Sequence, residues 1–134
     1  MPAALLDTNA ISDLMNDHPL VKSRVLNHQD LVLTSVVTRG EIRFGLDRLP
    51  LGKKRTDLES RARTTFLKTP IEPITESISV EYGRLKALLE AQGLNLGDND
   101  LWIAATALLL NYTVVTRDSL FSRIPGLLVE DWSQ

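Results

Sequence analysis

Four acidic residues stand where a folded chain would gather carboxylates in one place. Asp7 ends a short apolar run, Asp118 follows a run of β-branched residues, and Glu41 and Asp100 lie near the starts of two segments with helical character. Carboxylates held close together oppose one another's ionisation, and a divalent cation relieves that repulsion. Such a cation polarises a phosphodiester and lowers the pKa of an attacking water. The four acids are therefore candidates for a metal-dependent hydrolytic site.

Each acid also has a purely structural explanation. Asp7 suits the N-cap of the next helix, and Asp118, in Thr-Arg-Asp-Ser, suits a turn. Glu41 follows Thr38 by three residues, as in a capping box. Asp100 is favoured by the positive end of a helix dipole. For each acid taken alone, the structural role explains the sequence as well as a catalytic role does. Only a common location of the four acids in the fold would favour a shared site.

The elements that must position these acids alternate between strands and helices. We predict strands over residues 3–6, 31–34, 71–74, 113–116 and 127–130. Helices are predicted over 10–15, 19–26, 53–67, 77–91 and 99–110, together with one that begins at Ser35 or at Thr38 and ends at residue 49. This alternation predicts a three-layer α/β/α fold with a central, mainly parallel sheet of about five strands. Ligands of such sheets bind at the carboxyl ends of the strands. Asp7 and Asp118 are expected at that edge.

Composition limits the other possibilities. The chain has 134 residues, of which 43% are hydrophobic and 24% charged, and this predicts one globular domain spanning residues 1–134. The absence of cysteine excludes disulfides and thiolate metal sites. The longest apolar stretch, residues 101–110, is too short to span a bilayer. Because no secretory signal is visible either, we expect a cytoplasmic protein without a membrane partner.

The net charge bears on nucleic acid as a partner. A formal charge of −2 argues against affinity that comes from a strongly basic surface. It does not exclude a nuclease, because metal-binding carboxylates themselves contribute negative charge, which bound cations reverse locally. Base stacking is not expected to be the main means of RNA recognition, since the chain has few aromatic residues.

Four segments carry a resemblance to a known family. They are Leu5-Leu-Asp-Thr-Asn9, Ser35-Val-Val-Thr-Arg-Gly-Glu-Ile-Arg-Phe-Gly45, Asp100-Leu-Trp-Ile-Ala-Ala-Thr-Ala107 and Val114-Val-Thr-Arg-Asp118. In this order and spacing they resemble the motifs of PIN-domain proteins, and most of all those of VapC-like toxins of bacterial type II toxin–antitoxin systems. The resemblance implies an endoribonuclease dependent on Mg²⁺ or Mn²⁺. It also implies a homodimer that a small antitoxin neutralises.

The resemblance further implies roles for individual residues. Asn9 and Thr116 match polar positions that support the site. Asp98 is an alternative to Asp100 as a ligand, although the register of Ile103-Ala-Ala favours Asp100. The residues that match the catalytic acids are Asp7, Glu41, Asp100 and Asp118, of which Asp7, Asp100 and Asp118 match metal ligands.

Two surfaces are candidates for contact with RNA or a partner. Lys53-Lys-Arg55, with Arg61 and Arg63 downstream, is either a solvated helix face or a contact for RNA phosphates. Arg39 and Arg43 are four residues apart and so share a helix face, but we do not assign Arg43 to catalysis. By family likeness, an antitoxin segment would lie against the helices within residues 10–27 and 36–67.

Three other functions fit the sequence less well. An aspartyl-phosphate enzyme is disfavoured, since a second Asp is wanted at position 9, where this chain has Asn. A PIN-like binding module without catalysis is disfavoured by the intact set of acids. A structure-specific DNA nuclease would use the same metal chemistry, and the small size of the chain favours RNA over it.

Overall fold

A five-stranded sheet lies between two layers of helices in the computed structural model, which describes residues 2–134. Within those residues, no helix is both long and apolar enough to cross a membrane. The strands are Ala4–Leu6 (β1), Val32–Ser35 (β2), Ile71–Glu72 (β3), Thr113–Val115 (β4) and Leu128–Glu130 (β5). The helices are Thr8–Met15 (α1), Pro19–Asn27 (α2), Val36–Asp47 (α3), Lys53–Lys68 (α4), Glu76–Ala91 (α5) and Asp98–Leu110 (α6).

The strand order is β3-β2-β1-β4-β5, and all four pairings are parallel. The predicted fold is thereby confirmed. The chain moves outward from β1 to β3 and then returns to the other side of β1 as β4. Connections on the two sides of this reversal leave in opposite directions and open a crevice at the carboxyl ends of β1 and β4. Asp7 directly follows β1, and Asp118 lies just beyond β4.

Strand β1 separates two apolar cores because successive side chains of a strand point to opposite faces. Leu6 faces the core formed with α1 to α4, where it packs with Ile11 and Leu46. Leu5 faces the core formed with α5 and α6, where it packs with Leu89 and Ile103. All of β1 is buried, which explains its unbroken apolar run.

Side-chain caps determine where two of the helices near the sheet edge begin. Asp7 caps α1 and Ser35 caps α3, whose first residue is therefore Val36. The capping-box explanation for Thr38 and Glu41 is thereby excluded, since Thr38 lies inside α3 and is buried. The side chain of Glu41 is left available for contacts outside its own helix.

The segment between β4 and β5, for which the sequence predicts neither strand nor helix, is not wholly irregular. It contains a short 3-10 helix, Ser119–Arg123, that Asp118 caps through a hydrogen bond from the backbone N–H of Leu120 to Oδ1, with an N···O distance of 3.0 Å. A single turn of this kind is too short to show a helical period in the sequence. Phe121 anchors it by packing into the core beneath α6.

Candidate active site

Asp7 is held rigidly at the junction of β1 and α1. Its side chain is only 3% exposed. Oδ1 accepts a hydrogen bond from the backbone N–H of Ala10 at 2.9 Å, and Oδ2 accepts one from Nδ2 of Asn9 at 3.0 Å. Asp7 is therefore the N-cap of α1, as its structural explanation requires, and it also lies at the predicted edge of the sheet. A cap fixes the carboxylate as firmly as a functional site requires.

The electrostatics of Asp7 show which other acids it faces. Burial raises the pKa of Asp7 from its ordinary 3.8 to about 6, because the charged form loses its hydration. Hydrogen bonds from Thr116 and Ala10 lower the pKa, whereas the negative charges of Asp100 and Asp118 raise it further. Three of the four predicted acids are thus close enough to repel one another.

Asp100 lies in the first turn of α6 and is half-buried. Burial, followed by the charges of Asp118 and Glu41, raises its pKa. No hydrogen bond from the described residues is among the causes that act on this pKa. Asp100 therefore connects Glu41 electrostatically to the other acids, and its oxygens are available to a ligand.

Asp98 points to a different surface. Its Oδ1 accepts hydrogen bonds from the hydroxyl of Tyr82 at 2.9 Å and from Nζ of Lys86 at 3.2 Å. These two contacts lower the pKa of the exposed Asp98 carboxyl, the Tyr82 bond having the larger effect. Asp98 thus joins α6 to α5, whereas Asp100 faces the other acids.

Asn9 and Thr116 brace the carboxylates on either side of the crevice. Nδ2 of Asn9 donates to Asp7 and lies 3.5 Å from Oγ1 of Thr116. Oγ1 of Thr116 accepts a hydrogen bond from the backbone N–H of Asp118 at 3.0 Å. Both side chains therefore lie where the supporting role was predicted, between the ends of β1 and β4.

Glu41 reaches the site from α3 and is held by a residue that the sequence did not single out. Oγ1 of Thr8 donates a hydrogen bond to Oε1 of Glu41 at 2.7 Å. Both residues line an open cleft of about 630 Å³ that also borders Asn99 and Trp102 of α6. A Thr beside Asp7 carried no recognisable signal, because the contact joins residues 33 positions apart.

The donor set suits a hard divalent cation. All four side chains offer carboxylate oxygens, the ligands that Mg²⁺ and Mn²⁺ prefer. A cation among them would offset the desolvation and repulsion that raise the pKa values of Asp7 and Asp100. Within residues 2–134, no three Asp, Glu or His side chains already stand in a complete ligand arrangement. The residues therefore fit the chemistry of such an ion.

Arg55 and Arg61 of the predicted basic patch are engaged in internal contacts, as is Arg43 of α3. Nη2 of Arg43 contacts Asp47 at 2.7 Å and Glu59 at 3.1 Å, so it joins α3 to α4. Arg55 contacts the same two acids at 3.0 and 3.6 Å. Arg61 donates to the backbone oxygen of Met15 at 3.1 Å. Of the triplet at 53–55, only the two lysines remain as exposed cations for RNA.

Comparisons with known proteins cover nearly the whole chain. The family model described as the PIN domain matches residues 4–127. The chain is 30% identical over 134 residues to ribonuclease VapC2 of Rickettsia felis, covering 97% of this chain and 98% of that protein. It is 33% identical to ribonuclease VapC1 of Haemophilus influenzae strain R2866, covering 97% and 98%.

Solved structures show the same likeness. VapBC2 from Rickettsia felis, bound to a DNA fragment from its promoter, contains a chain that superimposes with a TM-score of 0.87 at 29% identity, covering 97% of this chain and 98% of that one. A chain of VapBC-1 from nontypeable Haemophilus influenzae superimposes with a TM-score of 0.83 at 30% identity, covering 98% and 99%.

Proposed function

The chain belongs to the PIN-domain family, and on that premise we propose that it is an endoribonuclease, the toxin of a type II toxin–antitoxin system. The likeness to VapC ribonucleases spans both chains almost end to end, so we further propose that residues 1–134 act as one ribonuclease domain. The structural observation that carries the proposal is that Asp7 and Asp118 follow β1 and β4 at the carboxyl edge of the sheet. The charges of Asp100 in α6 and Glu41 in α3 act on the same group of acids.

Mg²⁺ or Mn²⁺ is the cofactor that this set of residues favours. We propose that Asp7, Asp100 and Asp118 hold it, since these three face one another across the crevice. When bound, a divalent cation polarises the phosphodiester and stabilises the leaving oxygen. The chain's own contribution is to hold these carboxylates in a partly water-excluded crevice, where electrostatic effects are stronger than in bulk water.

The remaining acid is suited to proton transfer. Oε1 of Glu41 accepts the hydrogen bond of Thr8, which leaves Oε2 to take a proton from an attacking water. Asn9 and Thr116 hold the Asp7 carboxylate in one orientation. We therefore assign general-base catalysis to Glu41 and orientation of the metal-binding carboxylates to Asn9 and Thr116.

The first test is cleavage of a pooled tRNA and rRNA preparation by the purified chain, with Mg²⁺, with Mn²⁺ and with EDTA. We expect cutting in both metals and none in EDTA. Single- and double-stranded DNA are matched substrates, and preferential cutting of DNA would identify a DNA nuclease instead. A folded protein that binds Mn²⁺ without cutting any nucleic acid would favour the non-catalytic binding module.

The antitoxin partner is proposed to lie in the groove between α3 and α4. This groove has a volume of about 270 Å³, and Phe66 and Leu67 are among its apolar residues. Leu67 is 81% exposed and lines the groove together with Phe66, so the two form an apolar patch suited to a partner. The guanidinium of Arg39 lies 4.7 Å from the centre of the Phe66 ring, and Arg63 also borders the groove. An amphipathic helix with acidic flanks fits this surface.

Leu67→Asp is expected to weaken antitoxin binding by about 30-fold, because burying a leucine contributes about 2 kcal/mol. Ribonuclease activity of the free toxin should stay within about 2-fold of wild type, since the groove lies apart from the acids. The measurement is calorimetric titration with the protein encoded by the neighbouring open reading frame. Leu51→Asp is the matched control, since Leu51 is 87% exposed and does not line the groove. Equal affinities for both variants would place the antitoxin elsewhere.

A homodimer, which the family resemblance implies, stays a prediction. Val36 and Phe44 of α3 line the cleft beside Glu41 and are 42% and 62% exposed. Apolar side chains at that exposure are suited to an interface between two copies. Light scattering on the purified toxin distinguishes a dimer from a monomer.

A further inference from the structure

Thr8 has no role in the proposed function, yet its side chain forms a short hydrogen bond with one of the four acids, Glu41. It is the first residue of α1, directly after Asp7, and is half-buried. Its Oγ1 donates to Oε1 of Glu41 at 2.7 Å and lies 3.3 Å from Oγ1 of Thr38, a residue with no exposed surface. One hydroxyl thus joins a candidate catalytic acid to a buried side chain.

The direction of these hydrogen bonds follows from the groups themselves. A threonine hydroxyl has one proton, and an ionised carboxylate only accepts. The shorter contact, to Glu41, takes the proton of Thr8, so Thr38 supplies the donor of the longer contact. The resulting chain runs from Thr38 through Thr8 to Glu41, and bonds in such a chain strengthen one another.

Glu41 needs an external contact to hold one position. A glutamate side chain loses about 1–2 kcal/mol of rotational freedom when it is fixed. Glu41 reaches the crevice from α3, whereas Asp7 belongs to the junction of β1 and α1. Thr8 is covalently adjacent to Asp7, so its hydrogen bond fixes Glu41 relative to the most buried of the acids.

We propose that Thr8 is a positioning residue that holds the Glu41 carboxylate at its working distance from Asp7. This inference rests on the proposed function, since it assigns Glu41 to the same site. Thr8 acts through Glu41 and needs no contact with the substrate. A merely structural role would be to tie α1 to α3, which affects stability but not the site.

The test compares Thr8→Val, which removes the hydroxyl at nearly constant shape, with Thr8→Ser, which keeps it. We expect Thr8→Val to lower kcat for RNA cleavage by about 10- to 100-fold, a part of the 10²- to 10⁴-fold that a well-positioned general base contributes. KM should change by less than about 3-fold, and Thr8→Ser should stay within about 3-fold of wild type in both. Melting temperatures of all variants establish that they are folded.

Mn²⁺ affinity is a second measurement of the role of Thr8, and it does not depend on ribonuclease activity. The charge of Glu41 acts on Asp100, one of the proposed ligands, so a displaced Glu41 should weaken Mn²⁺ binding. Loss of a hydrogen bond of about 1 kcal/mol corresponds to about 5-fold weaker Mn²⁺ binding in Thr8→Val. In a Glu41→Ala background the same substitution should change Mn²⁺ affinity by less than about 2-fold, because the acceptor of the Thr8 hydrogen bond is gone. Thr8→Ala serves in the same scheme if Thr8→Val does not fold.

Each result decides the question. If Thr8→Val weakens Mn²⁺ binding equally with and without the Glu41 carboxylate, the positioning role is overturned and Thr8 has only a structural role. Wild-type kcat and wild-type Mn²⁺ affinity in Thr8→Val would also overturn it, while the proposed function would stand. If the wild type cuts no RNA, the proposed function fails, and the coupling between Thr8 and Glu41 is still read from Mn²⁺ affinity.

Discussion

Asp7→Asn is expected to abolish RNA cleavage, by at least about 10³-fold, and at the same time to stabilise the metal-free protein. The loss of activity corresponds to about 4 kcal/mol of transition-state stabilisation when a metal-binding carboxylate becomes neutral. The gain in stability arises because Asp7 is 3% exposed and faces the negative charges of Asp100 and Asp118. Asn has nearly the same shape and remains a good N-cap for α1.

The size of the stability gain follows from the pKa of Asp7. A rise from 3.8 to about 6 means that the charged form destabilises the fold by about 3 kcal/mol at neutral pH. We expect a net gain of about 1–2 kcal/mol in the free energy of unfolding, since the new amide N–H₂ meets the donor of Asn9 and offsets part of the benefit.

The pH dependence has a definite sign. The folded-state pKa lies above the unfolded value, so the contribution of Asp7 is fully present below pH 3.8 and is lost as pH rises through about 6. The difference in the free energy of unfolding between wild type and Asp7→Asn should therefore grow from pH 4 to pH 7. Denaturant melts in EDTA at both pH values measure it. Asp7→Ala is the control, since it removes the charge together with the cap and loses about 1 kcal/mol.

Added Mg²⁺ should reverse the order of stability. A ligand that binds only the folded state stabilises it in proportion to its saturation, and the Asn variant has lost a ligand for the ion. We expect Mg²⁺ to raise the melting temperature of wild type and to leave Asp7→Asn nearly unchanged. If Asp7→Asn melts at a lower temperature than wild type in EDTA at neutral pH, burial and repulsion do not destabilise the charged Asp7. If Asp7→Asn still cleaves RNA, Asp7 does not belong to the site.

Asp100→Asn and Asp98→Asn, two substitutions in the first turn of α6, are expected to differ by about 10³-fold in RNA cleavage. Asp100 faces Asp118 and Glu41, so neutralising it removes a metal-binding charge. Asp98 contacts Tyr82 and Lys86 on the exposed surface of α5. Losing an exposed ion pair has little effect on stability and leaves the other acids in place.

The two variants control for each other because both remove one negative charge near the same helix N-terminus. Rates of cleavage of one RNA substrate and Mn²⁺ affinities by calorimetry are the measurements. We expect Asp98→Asn to stay within about 3-fold of wild type in both, since only a surface contact changes. Equal losses in the two variants would mean that helix charge, rather than a ligand position, determines activity.

The sequence by itself determined the elements and the edge of the sheet at which the acids meet. Strands as short as β1 were recognisable because a strand buried on both faces is apolar throughout, and Asp7 marked its end. Helix starts such as Pro19 and breaks such as Gly52 follow from local backbone preferences, which need no tertiary contact. Alternating elements imply parallel strands, and parallel strands bring Asp7 and Asp118 to one edge.

Only the tertiary structure decided which of two neighbouring residues faces the other acids and which faces the surface. Asp98 and Asp100 are equivalent by composition and separate only because α6 packs against α5 on one side and the crevice on the other. Arg55 belongs to a predicted basic patch, yet it pairs with Asp47 across two helices. Thr8 gains a role only from a partner 33 residues away. Such contacts depend on distances in space, which local periodicity does not encode.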